Sequence, residues 1–185
     1  MVLWNLVLSG YPGSGKTTLA ERLVSENSRF ARLCGDDLRR MLFNEHYPCR
    51  DEKPVFLALT SLRDLLLRTG WSVVIDTTAP DNIIRTVLLS TKTQDTRSLL
   101  IVMDVKRSVL MKRNRKKGRP NAVHVWDRYW IDPLSAFQTI KFKANSRKEF
   151  KASYRALQRI LERSTEKTCR KQVEPKTCRR RREGS

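Results

Sequence analysis

Apolar and polar positions alternate along this chain in two distinct rhythms. Val2 to Ser9 form a short apolar run, the pattern of a strand buried on both faces. Leu19, Ala20, Leu23 and Val24 recur at helical spacing and predict a helix over 16–27. A short strand follows at Phe30 to Cys34, and the polar cluster Gly35, Asp36, Asp37 opens a short helix through Phe43. Pro48 and Pro54 bracket a loop. From Pro54, which suits a first helical turn, Val55, Leu59, Leu62 and Leu66 hold one face until Gly70 ends the helix. Trp71 to Ile75 reads as a strand closed by Asp76, Asp81 to Thr91 as a helix, and Ser98 to Met103 as a strand closed by Asp104. Val123 to Ile131 predict another helix. Residues 132–144 are ambiguous, with room for an edge strand, and Phe150, Tyr154, Leu157 and Leu161 mark a last helix at about 145–165. Strands alternating with helices predict an α/β fold, a three-layer sandwich with a parallel sheet and helices on both faces.

Length and charge refine that picture. A chain of 185 residues suits one domain, here 1–165, followed by a basic tail at 166–185 that is expected to be disordered. No run approaches the roughly 18 apolar residues of a membrane helix. The N-terminus lacks a basic flank and reads as a buried strand, not a signal peptide, so a cytoplasmic protein without a membrane partner is expected. Cys34, Cys49, Cys169 and Cys178 lack zinc spacing and read as reduced thiols. His46 and His124 stand alone and read as surface or packing residues.

The net charge is +19, unevenly placed. Residues 1–105 carry 13 Lys and Arg against 12 Asp and Glu, whereas 106–185 carry 25 against 7. Such a bias costs self-repulsion and points to a polyanionic partner, RNA or DNA, with a solubility device or an acidic protein partner as the alternatives. Arg147, Lys151, Arg155, Arg159 and Arg163 repeat every fourth residue on the last helix, away from its apolar stripe. Like charges at that spacing repel, which phosphates would relieve, so Arg147, Lys151, Arg155 and Arg159 are candidate substrate-binding residues.

The strongest local motif is Gly10-Tyr11-Pro12-Gly13-Ser14-Gly15-Lys16-Thr17, which fits G-x-x-x-x-G-K-[ST] between a buried strand and an amphipathic helix. Its glycines let successive backbone N–H groups converge on phosphates, and the helix beginning near Lys16 adds its positive end. Lys16 is placed to reach the outer phosphates, Thr17 to take a Mg²⁺ position, and the span from Gly10 to Thr18 to hold ATP. Asp36 and Asp37 follow the second strand, at the carboxyl edge where open α/β sheets bind ligands. They offer a general base and a metal or Arg partner, or else a helix cap. Arg39 lies one turn on from Asp36. Asp76 ends an apolar strand, as a residue that contacts Mg²⁺ through water does, or caps the turn before Pro80.

Four blocks carry a resemblance: the Gly10–Thr17 loop, Gly35-Asp36-Asp37-Leu38-Arg39, Val74-Ile75-Asp76-Thr77-Thr78, and Lys112-Arg113-Asn114-Arg115-Lys116-Lys117-Gly118. Together they resemble the kinase domain of phage-type polynucleotide 5′-hydroxyl kinases over about residues 3–130. The second and third blocks are also similar to zeta-toxin-like kinases and to the kinase that phosphorylates seryl-tRNA. The resemblance implies a P-loop kinase with a basic lid at about 106–121, using ATP and Mg²⁺; the chain departs from the family in having no phosphatase domain, so a kinase only is expected. Asp36 is then the general base, Arg39 the grip on a phosphate next to the acceptor, and Asp76 a support of the site. Arg113 matches the lid element. The second lid arginine aligns with Lys117, and either Arg115 or Arg119 beside it is expected to take that role, because Lys is a poorer bidentate clamp.

These readings lead to an ATP-dependent transfer of the γ-phosphoryl group to a nucleic-acid hydroxyl, most naturally a polynucleotide 5′-OH. The alternatives are a kinase of seryl-tRNA, of a small molecule or of a sugar nucleotide, and a nucleic-acid-binding NTPase without a phosphorylated product. Trp126, Tyr129 and Trp130 have the chemistry to stack on bases, but their spacing suits core packing.

Overall fold

The computed structural model describes residues 2–172. Five strands form one parallel sheet in the order β2-β3-β1-β4-β5: β1 is Leu3–Ser9, β2 Phe30–Cys34, β3 Ser72–Asp76, β4 Thr96–Asp104 and β5 Thr139–Lys143. The helices are α1 Lys16–Glu26, α2 Gly35–Phe43, α3 Glu52–Arg68, α4 Asn82–Leu89, α5 Arg107–Lys116, α6 Ala122–Asp127 and α7 Arg147–Gln172.

The period-2 pleat sorts β1 between two cores. Leu6 and Leu8 pack with Leu19 and Leu23 of α1 and with Tyr154 and Leu157 of α7. Val7 packs on the opposite face with Leu59 and Leu67 of α3 and Leu88 of α4. The apolar run of β1 is therefore buried from both sides, and its one internal amide finds partners for Nδ2 but not for Oδ1. Asn5 donates from Nδ2 to the Leu88 carbonyl at 2.9 Å and to the Ser98 hydroxyl at 3.1 Å.

Several boundaries differ from the sequence expectation for local reasons. Helix α3 starts at Glu52 because the Asp51 carboxylate accepts the Lys53 N–H and caps it. Asp81 caps α4 in the same way, accepting from Ile84 N at 2.8 Å. Helix α6 ends at Asp127, short of the expected Ile131. Beyond it the chain is drawn toward the sheet, where Ile131 N donates to the Pro80 carbonyl at 2.9 Å and the Ile131 carbonyl accepts from Arg85. The ambiguous segment does hold an edge strand, β5, with Phe142 as its deeply buried residue. Helix α7 runs to Gln172, past the expected end at 165 and into the segment expected to be disordered. No Pro or Gly interrupts it. The remainder of the expected tail, 173–185, lies outside the described residues.

Register brings the site together. Leu8 of β1 pairs with Asp76 of β3 and Ile101 of β4, and Cys34 of β2 also pairs with Asp76. The loops after β1, β2 and β3 therefore leave the carboxyl edge of the sheet at the same height. The phosphate-loop motif, Asp36 and Asp76 emerge side by side.

Candidate active site

The Gly10–Thr17 loop leaves β1 and folds over the start of α1. Gly13 is left-handed at φ 78, and a Cβ there would come within 2.8 Å of the Asn114 amide nitrogen. At Gly10 a Cβ would lie 2.8 Å from the Met103 Cβ of the neighbouring strand. Lys16 turns back over the loop, its Nζ donating to the carbonyls of Gly10 at 2.7 Å and Tyr11 at 3.0 Å. Burial pulls its pKa down to about 8, against the opposing pull of Asp76 and Asp36. The ammonium is thus poised for an anion that the loop does not itself supply.

The lid helix α5 grips this loop from above. Asn114, 1% exposed, donates from Nδ2 to the Pro12 carbonyl at 2.8 Å and to Leu110 O at 2.9 Å. Arg113 donates to the carbonyls of Gly13 at 3.2 Å and Ala144 at 2.6 Å, joining the loop to the start of α7. At the base of the lid Arg107 forms an ion pair with Asp127 at 2.7 Å.

On the other side of Lys16 lies a carboxylate cluster. Asp36 is exposed, and Arg39 Nη1 donates to its Oδ1 at 2.8 Å. Arg39 is itself 5% exposed and held by Glu52, which accepts from Nε at 2.9 Å and from Nη2 at 2.8 Å. That guanidinium is committed to two carboxylates, so it orients Asp36 as well as presenting charge. Asp76 is buried and accepts from Arg32 Nη2 at 2.8 Å, while Arg32 Nη1 donates to Asp37 at 3.0 Å. Burial pushes the neighbouring Cys34 thiol up to about 11, so it is no nucleophile near neutral pH.

Two aromatic stacks lie beside these loops. Tyr11 of the loop stacks on Trp130 at a centroid distance of 4.8 Å, and Arg85 lies over the other partner, 4.9 Å from the Trp130 centroid. Arg85 is fully buried and donates to the carbonyls of Ala79 and Pro80 and to the Ser9 hydroxyl, fixing the turn after β3 against the end of β1. Tyr47, in the loop between α2 and α3, stacks on Trp126 of α6 at 5.0 Å.

A cavity of about 660 Å³ opens between α1, α5 and α7, lined by Gly13 to Thr18 together with Arg113, Lys116, Lys117, Arg147 and Lys151. Lys117 and Lys116, not Arg115 or Arg119, supply the further lid cations there; Arg115 and Arg119 are exposed and outside its lining. The periodicity of α5 decides this, turning Arg113, Lys116 and Lys117 inward and Arg115 outward. Arg147 and Lys151, expected to meet the acceptor, stand on this phosphate side, whereas Arg155 and Arg159 are exposed further along α7. The resemblance-based blocks singled out Asp36, Arg39 and Arg113 but not Glu52, Arg32, Arg85 or the holding role of Asn114.

A Mg²⁺ fits this donor set as a nucleotide-borne ion. Thr17 stands on the cavity wall, Asp36 and Asp76 lie on the Lys16 side, and the described residues contain no cluster of three or more His, Cys, Asp or Glu able to hold a metal alone. Mg²⁺ characteristically takes one or two protein ligands and completes its shell with phosphates and water. Asp37 and Asp76 share the Arg32 guanidinium, at 3.0 and 2.8 Å.

A parallel sheet in this order, with a glycine-rich loop opening α1 and a basic lid closing on it, defines a P-loop nucleotide-binding fold of kinase type. The AAA domain family model matches residues 6–140, and the chain belongs to that family. No curated protein matches it. Among solved structures it is similar to a sugar kinase from Janibacter sp. HTCC2649, 19% identical over 85% of this chain and 95% of that one, with a TM-score of 0.62. The Mycobacterium tuberculosis APS kinase CysC, solved with AMPPNP and APS, is 17% identical over 85% of this chain and 96% of that one, TM-score 0.62. A chain of the Pnkp1/Rnl/Hen1 complex is 26% identical over 60% of this chain, at a TM-score of 0.55, and only 39% of that chain is covered. Among the described residues no helix is long and apolar enough to cross a membrane.

Proposed function

We propose that this chain transfers the γ-phosphoryl group of ATP to a hydroxyl of a nucleic acid, the 5′-OH of a polynucleotide. One observation carries the reading: Asp36, exposed and oriented by the buried Arg39 that Glu52 holds, stands near enough to Lys16 of the phosphate loop to shift its proton affinity. A nucleotide switch has no use for an oriented, solvent-facing carboxylate at that place; an acceptor hydroxyl does.

The acceptor oxygen forms a bond to the γ-phosphorus as the bond to the ADP oxygen breaks, and the Asp36 carboxylate takes the hydroxyl proton. Lys16 and the backbone N–H groups of the loop bind the outer phosphates, and Arg113, Lys116 and Lys117 approach from the lid side. Mg²⁺ would be held by Thr17 and the nucleotide, with Asp76 behind it, and would neutralise charge on the phosphates. The exposed Arg155 and Arg159 extend positive charge along α7 for a polyanion. The 26% identical chain of the Pnkp1/Rnl/Hen1 complex supports the acceptor class, and a second structure of that complex is described as an RNA repair complex.

A small acceptor, such as a sugar nucleotide, is the competing reading. The sugar kinase fold neighbour, matched over 95% of its own length, supports it. Incubation with γ-labelled ATP, Mg²⁺ and a panel of 5′-OH DNA, 5′-OH RNA, seryl-tRNA and small alcohols separates the readings. Label on the 5′-OH strands is expected. Label confined to seryl-tRNA or a small alcohol, or release of free phosphate alone, would contradict it.

A further inference from the structure

Aromatic residues fall into two groups in this molecule. Phe142, Phe150 and Tyr154 cluster in the core, with Phe142 and Tyr154 each 1% exposed. Tyr47 and Tyr129, by contrast, are 43% and 51% exposed, yet Tyr47 stacks on Trp126 at 5.0 Å with the planes 30° apart, and Trp126 meets Tyr129 edge-on at 6.1 Å. These rings are half open to solvent and do not serve a core.

Their position is specific. The Arg39 guanidinium lies 5.0 Å from the Tyr47 centroid, and the same guanidinium holds Asp36 at 2.8 Å. A continuous line of contacts therefore runs from the proposed general base through Arg39 to the ring pair. The two rings come from separate elements, the loop between α2 and α3 and the helix α6 that follows the lid.

Resting on the acceptor reading above, we infer that Tyr47 and Trp126 form a stacking subsite for the nucleobase of the acceptor nucleotide, which inserts between them. Ring-on-ring contact in the free protein is replaced by ring–base–ring contact in the complex, so neither aromatic face is left wet. The base is read by its π-face and not by its edges, and the subsite accepts all four bases. Tyr129 bounds it at the edge, and Arg39 keeps Tyr47 in place beside the sugar that bears the hydroxyl. The chain thus selects an acceptor that carries a flat ring one sugar away from the attacking oxygen. A sugar or simple alcohol lacks that ring.

The test compares a 5′-OH oligonucleotide with the same strand carrying an abasic residue at its 5′ end. The wild-type KM is expected to be roughly 10-fold higher for the abasic strand. Tyr47→Ala should raise the KM of the intact strand to the abasic value, leave the abasic KM unchanged and change kcat less than 2-fold, while Tyr47→Phe should behave as wild type. Equal weakening of both strands by Tyr47→Ala, the result of a disturbed Arg39, overturns the subsite, as does a wild-type enzyme indifferent to the missing base. A second readout is independent of transfer: free nucleoside added to protein saturated with a non-hydrolysable ATP analogue should quench tryptophan fluorescence, and Trp126→Leu should abolish the effect. Quenching without any phosphorylation of 5′-OH strands would remove the acceptor reading and keep the subsite. Phosphorylation without quenching or base discrimination would keep the acceptor reading and remove the subsite.

Discussion

At the scale of single residues, the site is a set of charges held by partners remote in sequence. Lys16 is the clearest case. Its pKa in the free protein is lowered to about 8 by burial, and bound phosphates raise it again. Binding of ATP above pH 8 must then take up a proton, and affinity should fall by up to tenfold per pH unit there. Calorimetry in buffers of different ionisation enthalpy checks this; no proton uptake at pH 8.5 would contradict it. The effect on folding has the opposite sign. An unfolded chain keeps this proton up to its ordinary 10.5, so between about 8 and 10.5 this one group makes stability rise with pH. The Gly10–Thr17 loop, Asp36 and Arg39 were legible in the sequence because each belongs to a short block. Their supports were not. Glu52 lies 13 residues from Arg39, Arg32 lies 44 from Asp76, and Asn114 lies 102 from Pro12. Nothing local marks such pairs, since only the parallel register and the lid crossover bring them together.

Elements were legible wherever periodicity ran unbroken, as in α1, α3 and the apolar stripe of α7. They blurred where one buried residue sets the structure. In β5 only Phe142 is fully buried, and its flanking residues are charged or polar, so the pattern of an edge strand is weak. Helix α6 stops early because Trp130 is recruited by Tyr11 and Arg85, a tertiary demand that its helical spacing conceals. The lid illustrates an element acting through one contact. Asn114→Ala would leave the Pro12 carbonyl without its partner and free α5 from the loop, at a cost of about 1–2 kcal/mol in stability and a weaker grip on ATP. Denaturant unfolding and nucleotide titration measure both; an unchanged ATP affinity would show that the lid does not steady the loop. In α7, Leu157 is fully buried among α1 and the sheet, and Leu157→Ala should cost about 2–5 kcal/mol by the same unfolding measurement.

Across the whole molecule, charge divides the labour. The nearly neutral first part builds most of the sheet and the Asp36–Arg39–Glu52 cluster, and the basic remainder supplies α5, cavity wall and helix row. The sequence pointed to a polyanion but not to where its cations stand. Arg147 and Lys151 turned out to wall the nucleotide cavity, because α7 packs beside α1 on one face of the sheet. Arg155 and Arg159 remain exposed. Single-stranded nucleic acid bound by this surface should lose affinity steeply with salt, and Arg155→Gln with Arg159→Gln should flatten the log–log slope by about 1.4. A slope unchanged by the pair would place the strand elsewhere.

The central claim is that Asp36 is the base for an acceptor hydroxyl beside a phosphate loop. Asp36 is exposed at the helix start, so Asp36→Asn keeps the shape while removing the proton acceptor and the charge that pairs with Arg39. The direct measurement is single-turnover transfer of label from γ-labelled ATP to a 5′-OH strand, with ATP affinity determined in parallel. A fall of about 10²–10⁴-fold in transfer with ATP affinity retained is the expected result. Transfer at the wild-type rate by Asp36→Asn would contradict the account.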